Sequence, residues 1–197
     1  IAVDRNIQSY IDQYKGMRIL KQDPWEYLIS FICSSNSNVL RVKQNVEDMS
    51  AAYGEKIEAF GSIRHTFPSP KQLENASIPI LRQLKLGYRA EYIHEAVKLV
   101  SQHVINPWAL LEEPYEEALM TLTKIPGVGD KVANCIMLFS MGKDDAFPVD
   151  VWIDRIIKEL YSEELDDYIQ RNVFLLQHRF YHIHEVPSIS VDNDERQ

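Results

Sequence analysis

The sequence predicts an all-α fold, and three observations carry that reading. Apolar residues recur at helical spacing along most of the chain, helix starts are marked by one repeated device, and strand-like alternation is scarce. The device is a capping residue followed by proline at the first helical position, at Asp23-Pro24, Ser69-Pro70 and Asn106-Pro107.

Taken in order, Trp25, Leu28, Ile29 and Ile32 fall at i, i+3, i+4 and i+7 after Pro24 and predict an amphipathic helix. Asn38 reads as an N-cap for a second helix whose inward stripe is Val39, Val42, Val46 and Met49, ended by Gly54. Glu55 to Ser69 reads as a loop around a buried Phe67-Pro68. Leu73 to Leu86 reads as two short helical pieces broken at Pro79, and Tyr88 to Val104 as a longer helix with Tyr92, Ile93, Ala96, Val97 and Val100 inward. Glu116 to Leu122 is helical, and Lys131 to Met141 is apolar almost all round, as a buried helix is. Asp150 then reads as the N-cap of a helix from Val151 to Tyr161.

Bulk composition narrows the function. A chain of 197 residues can bury a real core as one domain or two small lobes. Its 45% hydrophobic and 25% charged content is ordinary for a globular protein. No run approaches the ~18 apolar residues of a membrane span, and no basic stretch followed by an apolar one opens the chain, so neither a membrane nor export is expected. The net charge of −8 argues against non-specific coating of nucleic acid but not against one focused contact face. Acidic residues crowd Glu163 to Asp167 and the tail, whereas Lys21, Arg41, Lys43, Lys85, Arg89 and Lys131 stand beside the motifs below. Two cysteines, Cys33 and Cys135, read as reduced thiols and cannot build a four-cysteine iron–sulfur cluster. His178, His182 and His184 have no carboxylate or thiol at ligand spacing and read as polar surface.

The chain is organised around Leu122-Thr123-Lys124-Ile125-Pro126-Gly127-Val128-Gly129-Asp130-Lys131 and the later Phe147-Pro148-Val149-Asp150. Pro126 to Gly129 is too short and glycine-rich for anything but a tight hairpin between helices. Glycine allows positive φ and close approach of a foreign backbone, and the following helix points free N–H groups out of the hairpin, a surface suited to a phosphate. Taken alone, the four residues fit a plain helix corner with a glycine C-cap equally well.

With Lys131 at its exit and Pro148-Val149-Asp150 beyond, the stretch resembles the catalytic helix-hairpin-helix of the HhH-GPD DNA glycosylase superfamily. Gln22-Asp23-Pro24, Ser30 to Asn38 and Leu86-Gly87-Tyr88-Arg89-Ala90 resemble its 8-oxoguanine glycosylase/AP lyase branch, with Ser37 where the eukaryotic pattern has asparagine. The likeness covers roughly residues 20 to 160. It implies one glycosylase domain over 1–197, with two helical lobes, the hairpin motif at about 116–142 and a DNA- and base-binding cleft between the lobes. In eukaryotic relatives a β-rich domain precedes this region.

The resemblance also implies an activity: excision of 8-oxoguanine from duplex DNA, preferentially opposite cytosine, in base excision repair. Lys131 would be the nucleophile that forms a Schiff base, and Asp150 would stabilise positive charge on the sugar. A lysine of reference pKa ~10.4 is neutral in only about one molecule in 2,500 at pH 7. A helix start supplies ~0.3–1 kcal/mol, ~2 at best, of the ~4 that a three-unit drop takes, so desolvation must supply most. Asn36 and Tyr88 would fill the gap left by the extruded nucleotide, Arg41 and Arg89 would hold the orphan cytosine, and Gly127 and Gly129 would meet the DNA backbone. Cys135 and Phe180 would contact the lesion base. Carbonyls of Thr123, Ile125 and Val128 would hold a K⁺ or Na⁺, with no cofactor required. Damaged double-stranded DNA is the expected partner and a monomer the expected state, in the prokaryotic cytoplasm or nucleoid or the eukaryotic nucleus.

Each assignment has a plainer competitor. Asn38 and Asp150 serve as helix caps, Cys135 as a small buried hydrophobe, Tyr88 as a half-buried aromatic, and the arginines as phosphate contacts. The rival functions are a non-catalytic DNA-holding hairpin module and a glycosylase for alkylated or mismatched bases.

Overall fold

A computed structural model describes residues 5–59 and 61–160. The described residues divide between two compact units, the larger within 18–153 and the smaller holding 5–17 and 154–160. The described part of the smaller unit comprises α1 (Arg5–Gln13), the residues up to Met17, and α9 from Asp154 onward. Phe180, assigned to the base pocket above, lies outside the described residues.

The larger unit is helical, as predicted: α2 (Pro24–Ser34), α3 (Val39–Tyr53), α4 (Pro70–Leu73), α5 (Ile78–Gln83), α6 (Arg89–Ser101), α7 (Tyr115–Leu122), α8 (Asp130–Ile136) and the start of α9 (Val151–Leu160). A π-helical turn, Met137–Met141, continues α8 and ends at Gly142 in the left-handed region. Leu28, Ile29, Ile32, Ile93, Leu122, Ile125, Ile136 and Met137 are fully buried in one cluster, so α2, α6, α7 and α8 share a single core. Among the described residues no helix is long and apolar enough to cross a membrane.

Several caps perform as their sequence suggests. Asp23 Oδ1 accepts from Trp25 N and Glu26 N, and Ser69 forms a capping box with Gln72. Asn38 Oδ1 accepts from Arg41 N at 2.9 Å, which settles its capping role. Other expectations are corrected. Residues 56–65 are not loop but an antiparallel hairpin of β1 (Lys56–Ala59) and β2 (Ser62–His65), with Lys56 opposite His65. Ile57 and Ile63 are exposed, so the hairpin buries no face and leaves no apolar period to read. Asn106-Pro107 opens a turn and a 3₁₀ segment, Ala109–Leu111, where Asn106 Oδ1 accepts from Trp108 N and Ala109 N. Pro79 does not break a helix; it sits in the first turn of α5, where its missing N–H costs no hydrogen bond. Val39 points outward, with Leu40 beside it, at the start of α3.

The α7–α8 hairpin is set by one close approach. Gly127 has φ +85°, and a Cβ there would lie 2.5 Å from the Tyr92 ring of α6. Gly129, by contrast, is an extended N-cap with open space before it, so only one of the two glycines is needed for its conformation. Gly127→Ala should therefore destabilise by about 2–4 kcal/mol, from left-handed backbone strain plus overpacking. Gly129→Ala should be nearly silent in chemical denaturation. Equal losses for the two would show that Tyr92 does not set the turn.

Candidate DNA-processing site

Lys131 is the second residue of α8 and is exposed at the hairpin's exit. Its Nζ lies 5.8 Å from the centroid of the Phe31 ring, over its face. Phe31 is itself stacked on Phe139 at 6.1 Å and meets Tyr27 edge-on at 5.5 Å, so α2 and the π turn present an aromatic wall to the lysine. On its own helix Lys131 meets Cys135, one turn on. Burial pushes the Cys135 thiol up, the neighbouring Lys131 ammonium pulls it down, and the Asp150 carboxylate pushes it up again. Lys131 and Asp150 thus both lie near enough to Cys135 to act on its thiol electrostatically. Cys33 is more deeply buried, and burial pushes its thiol up to about 12 against a smaller opposing effect of Arg89.

Asp150 does cap α9: its Oδ1 accepts from Trp152 N and Ile153 N, both at 2.9 Å. One oxygen makes both capping bonds, so the cap does not consume the second. The segment carrying Asp150 is held by a residue that the sequence did not single out. Asn134 is buried on α8; its Oδ1 accepts from Phe147 N at 2.9 Å and from Tyr115 Oη at 3.1 Å, and its Nδ2 donates to Asp130 O at 2.8 Å. A lone asparagine inside a run read as apolar almost all round was the available signal, since a buried amide must be satisfied.

Asn36 and Tyr88 also meet. Asn36 Nδ2 donates to Tyr88 Oη at 3.4 Å, and Tyr88 Oη donates to Ser35 O at 3.2 Å. Asn36 is left-handed, φ +47°, which asparagine tolerates better than most residues. Tyr88 is exposed, packs edge-on against Tyr92 and carries the Arg89 guanidinium over its ring at 4.7 Å. With Gly127, Gly129 and the hairpin residues, Asn36 and Tyr88 line an open depression of about 510 Å³.

Arg41 and Arg89 line a second depression, about 540 Å³, together with Asn36, Ser37, Asn38 and Lys85. Their states differ. Arg89 donates from Nε and Nη2 to Ser35 O, from Nη2 to Asn36 O at 2.9 Å, and from Nη1 to Leu86 O at 3.5 Å. Most of its five donors are therefore committed to carbonyls of this chain.

Thr123, Ile125 and Val128 all border the first depression. The Ile125 carbonyl accepts Val128 N–H at 3.0 Å and keeps a second lone pair. Among the described residues no three His, Cys, Asp or Glu side chains converge on a metal site. Carbonyl oxygens suit an alkali cation, so the donor set fits the expected K⁺ or Na⁺.

If Asn134 positions Asp150, Asn134→Leu should cost about 2–4 kcal/mol, because buried partners lose their bonds. Asn134→Asp keeps the accepted pair and should recover part of the stability. At a temperature where all variants are folded, single-turnover base excision should follow the same order. A folded Asn134→Leu with wild-type excision would remove the positioning role.

Residues 29–173 match the family model described as "HhH-GPD superfamily base excision DNA repair protein". A "Probable N-glycosylase/DNA lyase" of Methanothermobacter thermautotrophicus is 34% identical over 178 residues, covering 80% of this chain and 57% of the relative. "N-glycosylase/DNA lyase OGG1" of Arabidopsis thaliana is 40% identical over 144 residues, 70% of this chain and 40% of the relative. Among solved structures, the Clostridium acetobutylicum 8-oxoguanine glycosylase/lyase with dsDNA containing cytosine opposite 8-oxoG superposes with a TM-score of 0.78 at 32% identity, covering 92% of this chain and 67% of that one. The chain thus spans about half the length of the relatives compared by sequence.

Proposed function

The chain belongs to the HhH-GPD superfamily of base excision DNA repair proteins, and on that premise we propose that it is a bifunctional glycosylase and AP lyase that removes 8-oxoguanine from duplex DNA opposite cytosine. The observation that carries the proposal is the placement of an exposed Lys131 in the first turn of α8, at the hairpin's exit and over the Phe31 ring, with the segment that bears Asp150 tied to the same helix through Asn134 and Phe147 N. A module that only holds DNA has no use for an amine and a carboxylate brought to one helix in this way.

A base inside a duplex must first be extruded, at a few kcal/mol. The hairpin amides grip the lesion strand while Asn36 and Tyr88 occupy the vacated space; the Thr123, Ile125 and Val128 carbonyls would hold a K⁺ or Na⁺, which would add positive charge beside that strand's phosphates. Neutral Lys131 Nζ attacks C1′, the glycosidic bond breaks and its electron pair leaves with the base. Ring opening yields the Schiff base, and loss of a C2′ proton expels the 3′ phosphate in the lyase step. Asp150 stabilises the positive charge that develops on the sugar. Cys135 packs against one face of the base.

Borohydride should trap the protein on an 8-oxoguanine duplex. Lys131→Gln should abolish trapping and leave binding intact. Asp150→Asn should keep its cap and its thermal stability while single-turnover excision falls at least a hundredfold, about 3 kcal/mol in transition-state stabilisation. Trapping by Lys131→Gln at the wild-type rate would identify a different nucleophile and defeat the proposal.

Opposite-base choice rests mainly on Arg41. Cytosine offers acceptors at O2 and N3, which suit a guanidinium, whereas adenine turns an N6 donor toward it and leaves buried donors unpaired at ~1–3 kcal/mol. Roughly ten- to hundredfold preference for cytosine over adenine is expected in wild type, shrinking in Arg41→Ala. Arg89→Ala should instead weaken excision opposite both bases, because it loosens the Ser35-Asn36 turn. An Arg41→Ala variant that loses affinity for both duplexes yet keeps its preference would make Arg41 a backbone contact.

A further inference from the structure

Resting on the reading of this chain as a duplex-DNA enzyme, we propose that Lys85 is a phosphodiester contact for the strand opposite the lesion, acting from the same depression as Arg41. Lys85 directly follows Leu84, the C-cap of α5, and has φ +63°, with its N–H donating to Arg82 O at 3.0 Å. Helices usually fill that position with glycine, which adopts it without strain. A lysine there carries a backbone cost that nothing in the turn requires, and retained strain of this kind points to use of the side chain.

Charge points the same way. The walls of the depression are Asn36, Ser37, Asn38, Arg41, Lys85 and Arg89, with no carboxylate among them. Nearby bases are paired elsewhere: Arg82 with Glu91, and Lys43 with Glu47 at 3.9 Å. Arg41 and Lys85 form no ion pair among the described residues. Cations sharing one depression without a counter-ion repel, so the arrangement is favourable only when an anion fills it. In a chain of net charge −8, such a patch is local provision for a polyanion.

The strand follows from Asn36, which lines both depressions. On the proposed function the hairpin side takes the lesion strand, so the side of Arg41 and Lys85 falls to its complement. Between the two, the planar guanidinium suits a base edge, and the compact ammonium suits a phosphate.

The test uses the full chain and the variants Lys85→Gly, Lys85→Gln and Lys85→Arg. Affinity is measured on an 8-oxoguanine:cytosine duplex and on an undamaged duplex of equal length across a salt series, alongside Tm and excision opposite cytosine and adenine. Lys85→Gly should raise Tm while weakening binding to both duplexes roughly three- to tenfold and lowering the salt slope by about one. Lys85→Gln should show the binding loss without the gain in Tm, and Lys85→Arg should keep wild-type affinity. Unchanged affinity and slope in the Gly and Gln variants would overturn the inference, and so would a loss confined to the cytosine preference, which would make Lys85 a base reader. A wild type that excises 8-oxoguanine while these variants bind equally well defeats this inference alone. A wild type that neither excises nor traps defeats the parent reading, and the undamaged-duplex series still decides for Lys85.

Discussion

The buried amide of Asn134 is the constraint on which the site depends. α8 carries Lys131 and Cys135, but Asp150 arrives on a separate segment with only residues 142–150 to connect them. A chain of that length without regular structure would leave a carboxylate and an amine in no fixed relation. Asn134 joins them by binding Phe147 N and Asp130 O with the two ends of one side chain, while Tyr115 of α7 caps the remaining acceptor capacity. Its burial makes each bond costly to break, which is why a polar residue can serve as the fixed point of an apolar helix.

The binding face follows a similar logic with a charged group. Asn36 must sit left-handed on a short turn between α2 and α3, where few contacts of its own hold it. Arg89 reaches across from α6 and collects Ser35 O and Asn36 O, so the turn that presents Asn36 is fixed by a guanidinium from a different helix. The same commitment separates two arginines that the sequence treats alike: the Arg89 guanidinium is spent on the chain's own carbonyls, whereas Arg41 forms no ion pair among the described residues. Gly127 completes the face by letting the hairpin lie against Tyr92, which in turn packs on Tyr88.

Much of this was legible beforehand. Helices are readable because their buried stripes repeat, the hairpin because Pro126 to Gly129 is too short and glycine-rich for anything longer, and Lys131 and Asp150 stand out through the family resemblance. The β hairpin was missed because its side chains face water and leave no pattern. Val39 was placed inward because a helix's first turn often lies beyond the core that its period points to. Asn134 and the Phe31–Phe139 wall act across elements distant in sequence, and only packing shows which elements meet. Lys85 was noted merely as a charge, since nothing in a residue's identity announces a positive φ.

The exposure of Lys131 bears on how the chemistry is controlled. The folded chain gives it a wall on two sides, the Phe31 ring and the Cys135 thiol, and leaves the rest to water. An amine becomes a nucleophile only when it is unprotonated, and strong desolvation is the available means. With Lys131 as the proposed nucleophile, the missing walls are those that bound DNA and an extruded base would supply. On that reading reactivity is conditional on occupancy, and selectivity for the base is exercised where the nucleophile is made and not only where the base is bound.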